Sequence, residues 1–166
     1  MRQLNRGELF RAFKRACLPF FILIILLIIP PWPVRAELKA AVYIRADGSI
    51  YPADAPITTH DKVTYVLTGD IKSSGDGIIV EKDNIVIDGN GHSIEGSGDY
   101  AGIKLSGRRG IKIRNVNIRG FDYGIHAEHL VDSQISGNRI EGNDVGIDLS
   151  DSSNNEIYEN KIEDCH

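Results

Sequence analysis

The chain has 166 residues, 42% of them hydrophobic and 25% charged, with a formal net charge of −4. That length holds one ordinary domain and excludes a multidomain assembly. Residues 1–36 carry six of the 19 Lys and Arg and one of the 23 acids, so residues 37–166 hold 13 bases against 22 acids, a net charge of −9. A body this acidic lacks the basic footprint that gripping nucleic acid requires, which excludes that class of partner.

The chain opens on Arg2, Arg6, Arg11, Lys14 and Arg15, followed by an apolar run over residues 17–29. Pro30, Pro31 and Pro33 stop any helix there. Val34-Arg35-Ala36 then offers a small-residue cleavage site. This pattern predicts a signal peptide over residues 1–36 and a mature, secreted or extracytoplasmic chain starting near Glu37. The apolar run falls short of the ~20 residues of a comfortable span. The alternative is an uncleaved N-terminal anchor, with membrane contact only through residues 17–29. Cys17 precedes the run, which argues against a lipoprotein site.

Export permits disulfides. The mature chain keeps only Cys165, so no internal disulfide is available and stability must come from burial and backbone pairing. Residues 37–76 are expected to form N-terminal capping strands. Strand candidates lie at 41–44 and 63–67, joined by a polar loop with Pro52 and Pro56. No proline follows Pro56, so nothing beyond it interrupts a β-ladder. From Gly77 onward there are fifteen Ile, five Val and three Leu, a bias toward strand.

Residues 77–166 carry a repeat. Gly102-Ile103, Gly124-Ile125 and Gly146-Ile147 recur every 22 residues. Ile113, Ile135 and Ile157 keep that interval, as do Ile118, Ile140 and Ile162. Three columns in one register define a solenoid. A longer first copy starts at Gly77-Ile78, its extra residues falling in the turn-prone segments 88–93 and 96–98. Leucine-rich repeats are excluded, because the columns are isoleucine and helical periodicity is missing. Each copy reads as short alternating strands with Ile and Leu inside, stacked ~4.8 Å per coil. The fold class is all-β, a parallel β-helix of 22-residue coils, with Asn138 stacked on Asn160 at a bend.

Tyr43-Ile-Arg-Ala-Asp-Gly-Ser49, Tyr65-Val-Leu-Thr-Gly-Asp70, Asn84-Ile-Val-Ile-Asp-Gly-Asn-Gly-His92 and the Ile-x-x-Asn-x-Ile coils carry a resemblance. Residues 41–166 resemble the right-handed, single-stranded parallel β-helix of pectate-lyase-like proteins, and more narrowly the NosD-type carbohydrate-binding and sugar-hydrolase branch. The resemblance implies an exported protein near polysaccharide or envelope. Copper or calcium enters only through it, as does an accessory role in copper-site assembly. The chain stops at His166 in mid-coil. Solenoids generally need capping, so either a longer solenoid or self-association through the open C-terminal coil is expected.

Three candidate sites follow. Asp122 and Asp144 are equivalent residues one coil apart, near the ~5–5.5 Å carboxyl spacing of a retaining glycosidase. The competing reading is turn chemistry. The chain lacks the paired-Asp, His-Gly and Arg-x-Lys motifs of β-helix polygalacturonases and the Asp-Pro-His motif of alginate epimerases, so no catalytic residue is assigned. His126 and His129 are the only close histidine pair, and Asp148 stacks beside His126. The mature chain has no Met as a soft copper ligand, so no metal site is assigned either.

The third site is a basic band. Lys104, Arg108, Arg109, Lys112, Arg114 and Arg119 fall in one coil, with Tyr100, Phe121 and Tyr123 at nearby turns. Such a band suits uronate or sulfate groups, with the tyrosines stacking on sugar rings. Charge pairing between coils is its structural alternative. The expected function is non-catalytic binding or scaffolding of polysaccharide, acidic polysaccharide being the expected partner. A polysaccharide lyase or glycosidase with its site in further coils is the enzymatic alternative.

Overall fold

The computed structural model describes residues 40–165. The expected signal peptide, its cleavage site, the apolar run 17–29 and His166 lie outside the described residues. Among the described residues no helix is long and apolar enough to cross a membrane.

Because each coil alternates two or three inward apolar residues with polar turns, the chain winds into a β-solenoid of about five turns with three parallel sheets. Sheet I contains Val42–Ile44, Ile78–Val80, Ala101–Ser106, Tyr123–Glu128 and Val145–Ser150, with Ile50–Tyr51 on its edge. Sheet II contains Thr64–Leu67, Val86–Asp88, Lys112–Arg114, Gln134–Ser136 and Glu156–Tyr158, with Ile57–Thr59 on its edge. Sheet III contains Ile71–Lys72, Ser93–Glu95, Asn117–Arg119, Arg139–Glu141 and Lys161–Glu163.

The residues expected to open the fold take two roles. Val42–Ile44, Thr64–Leu67 and Ile71–Lys72 pair in parallel with the second coil and so form the first coil themselves. Ile50–Tyr51 and Ile57–Thr59 pair antiparallel with that coil and cover two of its exposed strand edges.

The register is the one the 22-residue spacing requires. Ile103 pairs with Ile125 and Ile125 with Ile147. Ile113, Ile135 and Ile157 align on sheet II, and Ile118, Ile140 and Ile162 on sheet III. These columns are buried to 1% or less through the fourth coil. In the fifth coil Ile157 and Ile162 are 45% and 46% exposed, because no described coil covers their outer side.

The recurrent glycine before each sheet I isoleucine has a steric cause. A Cβ at Gly77 would overlap the Gly102 carbonyl, and one at Gly102 would overlap Ile118 Cγ2. The solenoid turns from sheet III into sheet I too tightly there for any side chain.

Candidate ligand-binding site

The outward side chains of a solenoid are displayed in columns, one per coil. Five of the six bases in the expected band are held by carboxylates, mostly of the second coil. Lys104 Nζ lies 3.6 Å from Asp76, Arg108 3.4 Å from Asp83, and Arg109 3.6 Å from Asp132. Arg114 donates from Nε and Nη2 to Asp88 Oδ2 at 3.0 and 2.9 Å. Arg119 pairs with Glu95. Lys112 has no charged partner among the described residues and projects from sheet II. The band is thus spread over all three sheets and a turn, and stitched to the acidic coil beside it.

Sheet I gathers the other candidates. Lys104, His126 and Asp148 share one outward column. His126 Nδ1 sits 2.9 Å from Asp148 Oδ2, and the Tyr123 ring centroid is 4.9 Å from the imidazole. Tyr100, 54% exposed, lies at the turn entering the same face. His129 stands beyond the strand end in a left-handed conformation, 3.9 Å from Glu128. Asp122 and Asp144 occupy the turn into sheet I, where the Val145 N–H donates to the Asp122 carbonyl at 2.6 Å and the Asp144 N–H to the Phe121 carbonyl at 3.1 Å.

A further concave feature lies elsewhere on the surface. A shallow groove of about 600 Å³ follows the corner between sheets II and III across the second to fifth coils. Asp88, Asn115, Asn117, Arg139, Glu159 and Lys161 line it. It continues over sheet III as a depression of about 320 Å³ that shares Gly91, Asn117 and Arg139 and adds Asp70, Arg119 and Glu141.

The groove exists because the corner is narrow. Asn115 and Glu159 adopt left-handed backbone there, as does Gly137 between them. Buried Asn138 spans the corner from inside, its Oδ1 accepting from the Val116 N–H at 3.2 Å and its Nδ2 donating to the Ile113 carbonyl at 3.1 Å. The side chains left outside are short and polar. None of the lining residues Asn117, Arg139 and Lys161 stood out in the sequence. Their signal was the column Ser93, Asn117, Arg139, Lys161, always one residue before an isoleucine of the sheet III column.

Three carboxylates beside the groove, Asp70, Glu95 and Glu141, have lowered pKa values. Glu95 lies below the usual glutamate range chiefly through its hydrogen bond from Arg119. Glu141 is lowered chiefly by the hydrogen bond from Arg139. Asp70 is lowered first by the backbone N–H of Ser93, at 2.8 Å from its Oδ1.

A family model described as periplasmic copper-binding protein (NosD) matches residues 45–165. The chain belongs to the NosD family. NosD proteins are a right-handed β-helix family and a periplasmic one, which points to an extracytoplasmic location. No curated protein and no solved structure matches the chain.

The family description implies copper. Among the described residues no group of three or more His, Cys, Asp or Glu is arranged to hold a metal ion. His126 and Asp148 supply two donors already bonded to each other, and Cys165 donates to the Glu163 carbonyl at 3.3 Å. A copper site calls for converging imidazole or soft sulfur ligands. The described residues of this NosD-family chain do not fit one.

Proposed function

We propose that this NosD-family protein is exported and serves as a non-catalytic binding or scaffolding rod for polysaccharide, with the groove between sheets II and III as the contact surface. The observation that carries this reading is the groove's extent. It crosses four coils, so it offers hydrogen-bonding side chains repeatedly along one line. An open track of this kind suits a polymer lying along it, whereas small-molecule sites enclose most of their ligand.

The protonation of the surface favours binding over hydrolysis. A glycosidase needs one carboxyl with a raised pKa to protonate the leaving oxygen. Asp70, Glu95 and Glu141 are all pushed the other way. Affinity electrophoresis of the full chain through gels containing polysaccharides tests the binding, with release of reducing ends measured in parallel. Retention without release is the expected result. Release of sugar would move the reading to a carbohydrate-active enzyme.

The family match favours a second reading, an accessory role in copper-site assembly. Copper titration followed by equilibrium dialysis separates the two. Tight stoichiometric uptake by the full chain would favour the accessory role.

A further inference from the structure

Resting on the polysaccharide reading, we infer that the groove takes a neutral, hydroxyl-rich polymer lying parallel to the solenoid axis, not a polyanion. The reasoning starts from charge. The groove and its extension are lined by four carboxylates, Asp70, Asp88, Glu141 and Glu159, against three bases, Arg119, Arg139 and Lys161. A chain of uronates would meet more negative than positive charge.

The bases are also committed. Arg139 donates from Nε and Nη2 to Glu141 Oε2 at 2.9 and 2.6 Å, and lies 3.4 Å from Glu163. Lys161 pairs with Glu163 at 2.9 Å, and Arg119 with Glu95. A carboxylate or sulfate ligand would have to displace these partners. A hydroxyl group would not, because it can donate to carboxylate oxygens and accept from amide or guanidinium N–H groups without breaking a pair.

The amides fit the same ligand. Asn117 donates one N–H to the Gly91 carbonyl at 3.0 Å, and Asn115 donates to Asp88 Oδ1 at 3.3 Å. Neither amide oxygen takes part in those bonds, so each is left to accept from a hydroxyl. Asn117, Arg139 and Lys161 recur once per coil in one column. The coil rise, ~4.8 Å, is comparable to one unit of an extended sugar chain. That match sets the polymer's direction along the axis.

The test compares gels containing hydroxyethylcellulose, glucomannan or galactomannan with gels containing polygalacturonate or alginate. The full chain is expected to be retarded by at least one neutral polymer, with little change when about 0.5 M salt collapses the Debye length. Asn117→Ala combined with Arg139→Ala is expected to weaken retention about tenfold. Glu128→Ala on sheet I is expected to leave retention unchanged. Circular dichroism of each variant keeps a folding defect from passing as lost binding, and Asn117→Asp alone gives a milder second test of the track. Retention only on polyuronates, abolished by salt, would overturn the neutral-ligand inference and leave the polysaccharide reading standing. Retention of the double variant equal to the parent would overturn the groove as the site. Retention on no polymer would overturn both.

Discussion

The second and fourth coils enclose the same isoleucine columns and close their corners by different means. The second is the longer, with 25 residues from Gly77 to Gly102 against 22 from Gly124 to Gly146. Its corners pair backbone with backbone in the next coil. Asn84, Gly89, Gly91 and Gly96 donate their N–H groups to the carbonyls of Arg109, Arg114, Asn115 and Arg119 at 2.8 or 2.9 Å. The fourth coil keeps such bonds, Gly137 and Gly142 donating to the carbonyls of Tyr158 and Glu163 at 3.3 and 3.1 Å, and adds buried side chains that reach back to the third. Ser133 Oγ accepts from the Ile111 N–H at 2.9 Å, Asn138 Oδ1 from Val116, and Asn143 Oδ1 from Phe121 at 3.1 Å. At the tighter corners of the shorter coil, the amides of Asn138 and Asn143 each add a partner for an N–H and a carbonyl of the turn beneath. Among the described residues no buried side-chain polar atom is left unpaired.

The sharpest way to break this comparison is to attack the shared core at two depths. Ile135 is 1% exposed and Ile157, one coil on in the same column, 45%. Ile135→Asp buries an unpaired carboxylate and is expected to cost several kcal/mol, about 4 or more, or to prevent folding. Ile157→Asp is expected to cost about 1 kcal/mol, since its carboxylate reaches water. Urea denaturation of the two variants measures the difference, and equal losses would show that the columns are not buried as described.

The corners come next. Asn143→Leu keeps the volume and removes the amide partner of the Phe121 N–H and of the Ile118 carbonyl, which Asn143 Nδ2 reaches at 3.1 Å. Losing both partners in a buried setting is expected to cost about 2–3 kcal/mol. Asn90→Ala, at an exposed turn of the longer second coil, is expected to cost less than about 1 kcal/mol. A small loss for Asn143→Leu would mean that the corner bonds add little beyond packing.

The columns were legible in the sequence because inward residues at a fixed interval leave a direct trace. The three Gly and Ile registers predicted every pairing of the third to fifth coils. The His126–Asp148 contact followed from the same arithmetic. The groove was not legible. Asn117, Arg139 and Lys161 differ in type, so no repeated letter marks their column. The fate of the basic band was hidden for another reason. Its partners Asp83, Asp88 and Glu95 belong to the longer coil, and Asp76 directly precedes it, so the irregular spacing breaks the arithmetic that would align them.

Acid should weaken the fold in a definite window. Asp70, Glu95 and Glu141 have pKa values below their ordinary 3.8, 4.5 and 4.5 in the native state. The unfolded chain therefore binds more protons than the native one at acid pH. Their stabilising contribution is complete above the ordinary values and is lost as pH falls through the native ones. Thermal melting is expected to be flat from about pH 7 to 5 with respect to these groups and to fall below about pH 4. Glu95→Gln is expected to shrink that fall, because Glu95 joins Lys72 and Arg119 across three coils.

The smallest expected effect separates charge from architecture. Arg114 is 52% exposed, and its pair with Asp88 joins the third coil to the second. If ion pairs held the coils together, Arg114→Ala would rank with the corner substitutions. Exposed pairs contribute only about 0–1 kcal/mol, since water and salt screen the attraction and ordering two side chains offsets part of it. The coils already share a continuous backbone ladder there, with Lys112, Ile113 and Arg114 paired to Val86, Ile87 and Asp88. Arg114→Ala is therefore expected to lower stability by less than about 1 kcal/mol, and by less still in molar salt. Lys112→Ala, which removes a base without an ion pair, serves as the reference for loss of charge alone. A loss of about 2 kcal/mol or more for Arg114→Ala, vanishing in salt, would show that the ion pairs, and not the ladder and the isoleucine columns, fix the second coil to the third.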